Sequence, residues 1–428
     1  MAAGKILLKD ITVDGVRKDL LIENGIISRI ADAGTVSVSP DMEVTGCSGK
    51  VAMPGFINMH THTPMTLMRG IEEDVEFHEW ISRIWKVEAG IDSEFIYWSS
   101  KVAFIEMLKS GTTTFNDQYW SFQATMKAAA QMGIRPVTGY DIMDRMDPYE
   151  AERQKEQCIE RYEKYKGEMA EADGVFALNF HAHYSVSEPM MLWAAEFARK
   201  NGLLLHTHIS ETKKEVEDCK AAHGGLTPVE YLDSLGILGE NLIAAHTLWL
   251  TPHDIEILAG RKVSCVHNIN SNCKLASGLR FLYSEMKEAG INICLGTDGA
   301  ASSNNLDMLE TMKTSALVQK AWRGDPKALP LNELLDMATV NGAKVLGLKT
   351  GRIAEGWKAD ICIVDTDNPY FLSPGSFLAN YVYAAHSDCI DSVICNGRYV
   401  MKGRQVPGEK EILREASKVL RHLSTLSV

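Results

Sequence analysis

The chain has 428 residues, 45% hydrophobic and 23% charged, which excludes wholesale disorder and leaves room for more than one folding unit. Its 44 Lys and Arg against 56 Asp and Glu give a formal net charge of −12, arguing against nucleic acid or an anionic membrane as the main partner. No apolar run approaches the ~20 residues of a membrane span, the start MAAGKILLKDITVDG lacks a secretory signal pattern, and nine unpaired-looking Cys with no CxxC fit reduced thiols, so a cytoplasmic setting is expected.

The first fifty residues read as short alternating strands: KILLKDITV, KDLLIENGIISRIAD with a turn at Asn24-Gly25, and MEVTGCSGKVAM. The texture changes at Met53-Pro54-Gly55. From there to about residue 350, eight apolar β-like runs alternate with helical stretches: 51–60, 111–117, 135–144, 174–183, 202–210, 241–250, 262–270 and 291–299. Ser93, Ser187, Thr227 and Thr251 are the expected helix starts, the last three each followed by a Pro in the first turn. Eight strand–helix units predict an α/β fold, a (β/α)₈ TIM barrel, spanning 54–350. An open doubly wound sheet is the alternative, but no strand leads into GxGxxG or a P-loop. Strand-like texture returns after residue 351, followed by a last helix, EKEILREASKVLRHL. Segments 1–53 and 351–428 are each too small to bury a core alone, so a composite, β-sandwich-like small domain built from both chain ends is expected.

The histidines gather at strand ends. His60 and His62 close the first run, His181 and His183 the fourth, His206 and His208 the fifth, His246 the sixth, His267 the seventh, and Asp298 the eighth. Barrel active sites lie at the C-terminal ends of the strands. Residues i and i+2 of a strand share a side, so His60 and His62 can bind one divalent ion, with His208 and Asp298 as further ligands and a position left for water. Such nitrogen and oxygen donors suit Zn²⁺ and also Fe²⁺ or Mn²⁺. Glu211, three residues beyond His208, is placed to move protons beside that water, and His246 to orient it.

The run Met53-Pro54-Gly55-Phe56-Ile57-Asn58-Met59-His60-Thr61-His62, with His208-Ile209-Ser210-Glu211-Thr212, Ala244-Ala245-His246, Ser271-Asn272 and Thr297-Asp298-Gly299, resembles the amidohydrolase superfamily. Order and spacing resemble most its 5′-methylthioadenosine/S-adenosylhomocysteine deaminases, over essentially the whole chain. The resemblance implies one zinc per subunit on His60, His62, His208 and Asp298, with Glu211 as proton shuttle and adenine contact and His246 flanking the water. It further implies substrate contacts from His181, from Glu88 on the ribose hydroxyls, and from Arg135. The expected reaction is hydrolytic deamination of an adenine nucleoside thioether, a small-molecule substrate, with guanine, pterin or triazine chemistry as the alternative. A homo-oligomer is left open, because no interface is readable. The chain departs from the family pattern at Phe180, His183, Lys86 and Asn268-Ile269, all near the expected substrate pocket, which bears on the substrate rather than on the metal chemistry.

Overall fold

The computed structural model describes residues 4–423, with side chains through Arg421. Five strands open the chain: β1 (Lys5–Val13), β2 (Val16–Glu23), β3 (Ile26–Asp32), β4 (Met42–Gly46) and β5 (Lys50–Pro54). Nine more build the centre: β6 (Phe56–Thr61), β7 (Thr112–Asp117), β8 (Arg135–Thr138), β9 (Asp141–Ile142), β10 (Val175–Phe180), β11 (Leu204–Ile209), β12 (Leu242–His246), β13 (Ser264–His267) and β14 (Asn292–Leu295). Three follow near the end: β15 (Ile361–Asp365), β16 (Ile390–Cys395) and β17 (Arg398–Met401).

The two chain ends share one sheet, in the order β17-β16-β15-β5-β1-β2-β3, with β4 beside β1. The join is β5 against β15, antiparallel, with Val51 opposite Val364 and Met53 opposite Cys362. Apolar side chains from both ends, among them Leu8, Ile11, Leu20, Ile361 and Ile394, bury one another in a single cluster, which neither segment could fill alone. The run 51–60 is therefore two strands in two sheets. Gly55 is the switch: a Cβ there would lie 2.4 Å from the Thr113 side chain, so only glycine lets the chain pass so close.

The central strands are parallel, in the order β14-β13-β12-β11-β10-β8-β7-β6, and helices lie between them. This is the (β/α)₈ architecture expected from the strand–helix alternation. The third stave is broken at Gly139, where a Cβ would meet Ala177 O at 2.0 Å, and β9 resumes beyond it against β10. The first and last staves meet through the Asn58 side chain, bound to Thr297 N (3.1 Å) and Oγ1 (2.7 Å), and through Asp298 N donating to His60 O at 2.9 Å. Ile57, Val137, Ala177, Ile243, Val266 and Cys294, from six strands, form one buried cluster, so the interior is packed and the site lies at its mouth.

The helix starts follow hydrogen-bond demand. Thr227 and Thr251 form capping boxes with Glu230 and Asp254. The helix Ser93–Lys109 is capped one residue earlier than expected, by Asp92, which accepts from Phe95 N. Ser187 makes no side-chain cap bond; Asp144 takes its hydroxyl instead. Among the described residues, no helix is long and apolar enough to cross a membrane.

Arg135 requires a correction. It opens β8, the end of the stave away from the mouth, and is 1% exposed. Its Nη1 donates to Asp360 Oδ2 at 2.6 Å and to Thr114 Oγ1 at 3.0 Å, its Nη2 to Asp360 Oδ1 at 3.2 Å, and its Nε to Asp173 Oδ2 at 2.8 Å. A guanidinium so fully engaged beneath the barrel does not reach a substrate; it fastens the barrel to the segment leading into β15. Arg135→Ala would strand the buried Asp360 carboxylate. We expect a loss of about 3–5 kcal/mol of stability with kcat/KM of the folded fraction preserved, measured by denaturant unfolding beside steady-state assays.

Candidate active site

His60 and His62 leave the end of β6, His208 stands on β11, and Asp298 follows β14. His60, His62 and His208 bring ring nitrogens within 4.8 Å of one another, and so do His60, His246 and Asp298 with their donor atoms. Asp298 Oδ1 lies 3.4 Å from His60 Nε2 and 3.3 Å from His62 Nε2.

The hydrogen bonds behind these rings decide which nitrogen faces the centre. His62 Nδ1 donates to Gln118 O at 2.7 Å, and His208 Nδ1 donates to His181 O at 2.7 Å. His60 Nδ1 meets His206 Nε2 at 3.0 Å. With each Nδ1 engaged, the Nε2 lone pairs are turned toward one point, and His60 Nε2 is buried without any hydrogen-bond partner among the described residues. Ser271 donates to Asp298 Oδ2 at 2.6 Å, which fixes the carboxylate and leaves Oδ1 inward. Three imidazoles and a carboxylate suit a divalent cation. The donor set fits the group the sequence implies.

Glu211, His246 and His181 border the same space. His246 Nε2 is 3.7 Å from Glu211 Oε2, and Ser277 Oγ is 3.4 Å from Glu211 Oε1. Asn272 Nδ2 contacts His246 Nδ1 at 2.9 Å, so the neutral ring carries its proton on Nε2. Burial pushes the pKa of His246 down to about 3 and that of His181 to about 3, so both are neutral at physiological pH. Burial, and then the charges of Asp298 and Glu215, pushes the Glu211 carboxyl well above its ordinary range. Ser210 (φ 53°), His246 (φ 73°) and Asp298 (φ 64°) all hold left-handed backbone, at a cost of order 1–3 kcal/mol each, which aims strand-end side chains at the mouth.

His62, His208, Asp298, Glu211, His246 and His181 line one pocket, walled by Phe77, Trp80, Ile84, Trp85, Met143 and Leu275. Glu88, the last residue of helix Phe77–Glu88, faces into it and accepts a hydrogen bond from Tyr119 at 2.7 Å; burial raises its pKa to about 7. A wider polar cleft opens from the same wall, sharing Trp85, Glu88 and Asp141 and adding Arg145. Thus the structure gathers His60, His62, His208, Asp298, Glu211, His246, His181 and Glu88, and leaves Arg135 out.

Arg145, whose guanidinium sits 5.3 Å from the Trp85 ring, lines the wider cleft with Arg153 and Arg161 and lies outside the residues expected from the sequence. Its signal was positional: it follows the end of the third stave, whereas Arg135 begins it. His206 was seen as a strand-end histidine, but its contact with His60 could not be, because it depends on the relative height of two distant strands.

Residues 51–400 match the amidohydrolase family. The chain is 42% identical over 400 residues to 5-methylthioadenosine/S-adenosylhomocysteine deaminase 1 of Archaeoglobus fulgidus, covering 92% of this chain and 93% of that one. It is 40% identical over 404 residues to a 5′-deoxyadenosine deaminase of Methanothermobacter thermautotrophicus, covering 94% and 92%. Among solved structures it is similar to an adenosine deaminase from Xanthomonas campestris with bound zinc, at a TM-score of 0.91, 29% identity and 98% coverage of each chain.

Proposed function

The chain belongs to the amidohydrolase family, and from that premise we propose that it is a zinc-dependent deaminase of adenine nucleosides substituted at the 5′ position, 5′-methylthioadenosine and S-adenosylhomocysteine first among them. The observation that carries this reading is the convergence of His60, His62 and His208 ring nitrogens within 4.8 Å of one another, with Asp298 Oδ1 3.4 Å and 3.3 Å from the His60 and His62 Nε2 atoms, in an aromatic-walled pocket that Glu211 also lines. The relatives at about 40% identity, with names for deaminases of adenine nucleosides, support the substrate class. Nine free cysteines, eight of them buried, support a reducing, cytoplasmic setting.

In this mechanism His60, His62, His208 and Asp298 would hold the cation. A divalent ion there would supply Lewis acidity, making water a competent nucleophile at neutral pH. Glu211 takes one proton from the attacking water and delivers it to the ring nitrogen next to the amine-bearing carbon; it then takes the second from the hydroxyl of the ring adduct and passes it to the amine, which departs as ammonia while the carbonyl forms. His246, neutral with its proton on Nε2, donates toward the water oxygen and so orients the attack. His181, its Nδ1 tied to Ser185 Oγ at 2.7 Å, presents Nε2 to the ring. Glu88 has one oxygen held by Tyr119 and the other free for the ribose hydroxyls, and Arg145 flanks the exit taken by the 5′ substituent. The aromatic walls exclude bulk water from the ring.

Ammonia release tests the reading: turnover of 5′-methylthioadenosine, S-adenosylhomocysteine, 5′-deoxyadenosine and adenosine is expected, and none of guanine, a pterin or a triazine. Conversion of one of the latter alone would replace it. Glu88 gives a pH signature. Because its pKa is raised to about 7, the carboxylate is charged above pH 7 and protonated below, where it accepts fewer hydroxyl hydrogen bonds. KM for the nucleoside is therefore expected to rise as pH falls through 7, and Glu88→Gln to hold KM at the high, low-pH value across the range.

A further inference from the structure

The carboxylate that moves the proton stands on a turn rather than within a strand, and that turn needs something to hold it. β11 ends at Ile209, Ser210 follows with left-handed backbone, and Glu211 comes next. Three successive N–H groups beyond the strand converge on one side chain. Ser210 N donates to Glu215 Oε1 at 2.8 Å, Glu211 N to Glu215 Oε2 at 2.7 Å, and Thr212 N to Oε2 at 3.4 Å. Glu215 is buried on the first turn of helix Lys213–Ala222, where its own N–H is taken by Thr212 Oγ1 at 3.0 Å.

Of the three bonds to the Glu215 carboxylate, a capping box requires only the one that Thr212 N donates. The two shorter bonds reach further upstream, to Ser210 and Glu211, and add nothing to the helix end. On the carboxylate's other side, His183 Nδ1 lies 3.7 Å away, too far for a hydrogen bond.

We propose that Glu215 is a positioning residue for Glu211, locking the Ser210–Thr212 backbone so that the Glu211 carboxylate stays over the reacting atoms. The proposal rests on the proton-transfer role assigned above to Glu211. A reacting group displaced by 1 Å loses about 10²-fold in rate, and three amides freed from one carboxylate would permit a shift of that size.

The test is Glu215→Gln in the metal-loaded enzyme, which keeps the volume but turns a second donor against one backbone N–H. We expect kcat to fall about 10–10²-fold, with KM and cation content essentially unchanged. Glu215→Asp, which keeps the charge, should recover part of the rate, and it supplies the same comparison if the Gln variant does not fold. The double variant Glu211→Gln/Glu215→Gln should be no slower than Glu211→Gln alone, since no shuttle is left to position. An additive loss in the double variant would overturn the proposal. Amide hydrogen exchange gives a readout without turnover: Ser210, Glu211 and Thr212 should exchange more than about tenfold faster in Glu215→Gln while β11 stays protected. Unchanged exchange also overturns it. Wild-type enzyme that releases no ammonia from any adenine nucleoside would defeat the functional reading instead, and exchange would still decide the role of Glu215.

Discussion

Glu211→Gln is expected to lower kcat by about 10²–10⁴-fold while the protein keeps its fold and its bound cation. The substitution preserves shape and the contact with Ser277 Oγ, 3.4 Å from Oε1, but an amide cannot accept and return a proton. Among the described residues Glu211 belongs to neither group of converging donor atoms, and its Oε2 faces His246 Nε2 at 3.7 Å, so metal content should not change. Metal analysis beside single-turnover kinetics makes the measurement. A large loss of cation in Glu211→Gln would mean the carboxylate is a ligand, and the division of roles proposed here would have to be redrawn.

Removing the cation should abolish turnover, and His62→Ala should approach the same result by a different route. His62 contributes one of three inward Nε2 atoms, and its Nδ1 is already committed to Gln118 O, so no rotation of a neighbouring ring replaces it. Loss of a hydrogen-bond partner behind a ligand costs roughly 10–100-fold in metal affinity, and loss of the ligand itself should cost more. Dialysis against a chelator, restoration with zinc, iron or manganese in separate samples, and equilibrium metal titration of His62→Ala check both statements. His62→Ala should lose metal and activity together, in contrast to Glu211→Gln. Equal metal content in the two variants would contradict the assigned ligand set.

Both results depend on a second layer of side chains that does not touch the cation. His206 faces His60, Ser271 faces Asp298, and Asn272 faces His246, each through a single hydrogen bond of 3.0 Å or less. Buried groups of this kind fix tautomers and rotamers before substrate arrives, which is how a site gains preorganisation. Glu215 belongs to the same logic, acting on backbone rather than on a ring.

The strand-end histidines were legible because two periodicities intersect in the sequence. A two-residue period places His60 with His62 on one side of a strand, and the strand–helix alternation states that all eight strand ends open at one face. Helix starts were legible for a similar reason: Thr-Pro before a helical run satisfies local amide donors, and local bonds do not wait for the fold. Where the demand was met from far away, as when Asp144 claims Ser187, the local rule misplaced the bond.

Arg135 shows the opposite limit. Motif position alone set it beside the substrate, yet it begins its strand and reaches Asp360, 225 residues away in sequence, while Arg145 lines the wider cleft. Which end of a strand a residue occupies is a local fact, available to any reader of the sequence. Which carboxylate waits for it is not, because that partner arrives only when the two chain ends share a sheet. By itself, then, the order of residues determined the barrel and pointed to strand-end histidines, Asp298 and Glu211 as the candidate ligands and proton carrier, through strand–helix alternation and the family resemblance of its motifs. The tertiary structure alone decided tautomers, the pairing of Arg135, the grip of Glu215 on its turn and the unusual proton affinity of Glu211. Those depend on burial and on distances between segments remote in the chain, and desolvation has no counterpart in a linear string of residues.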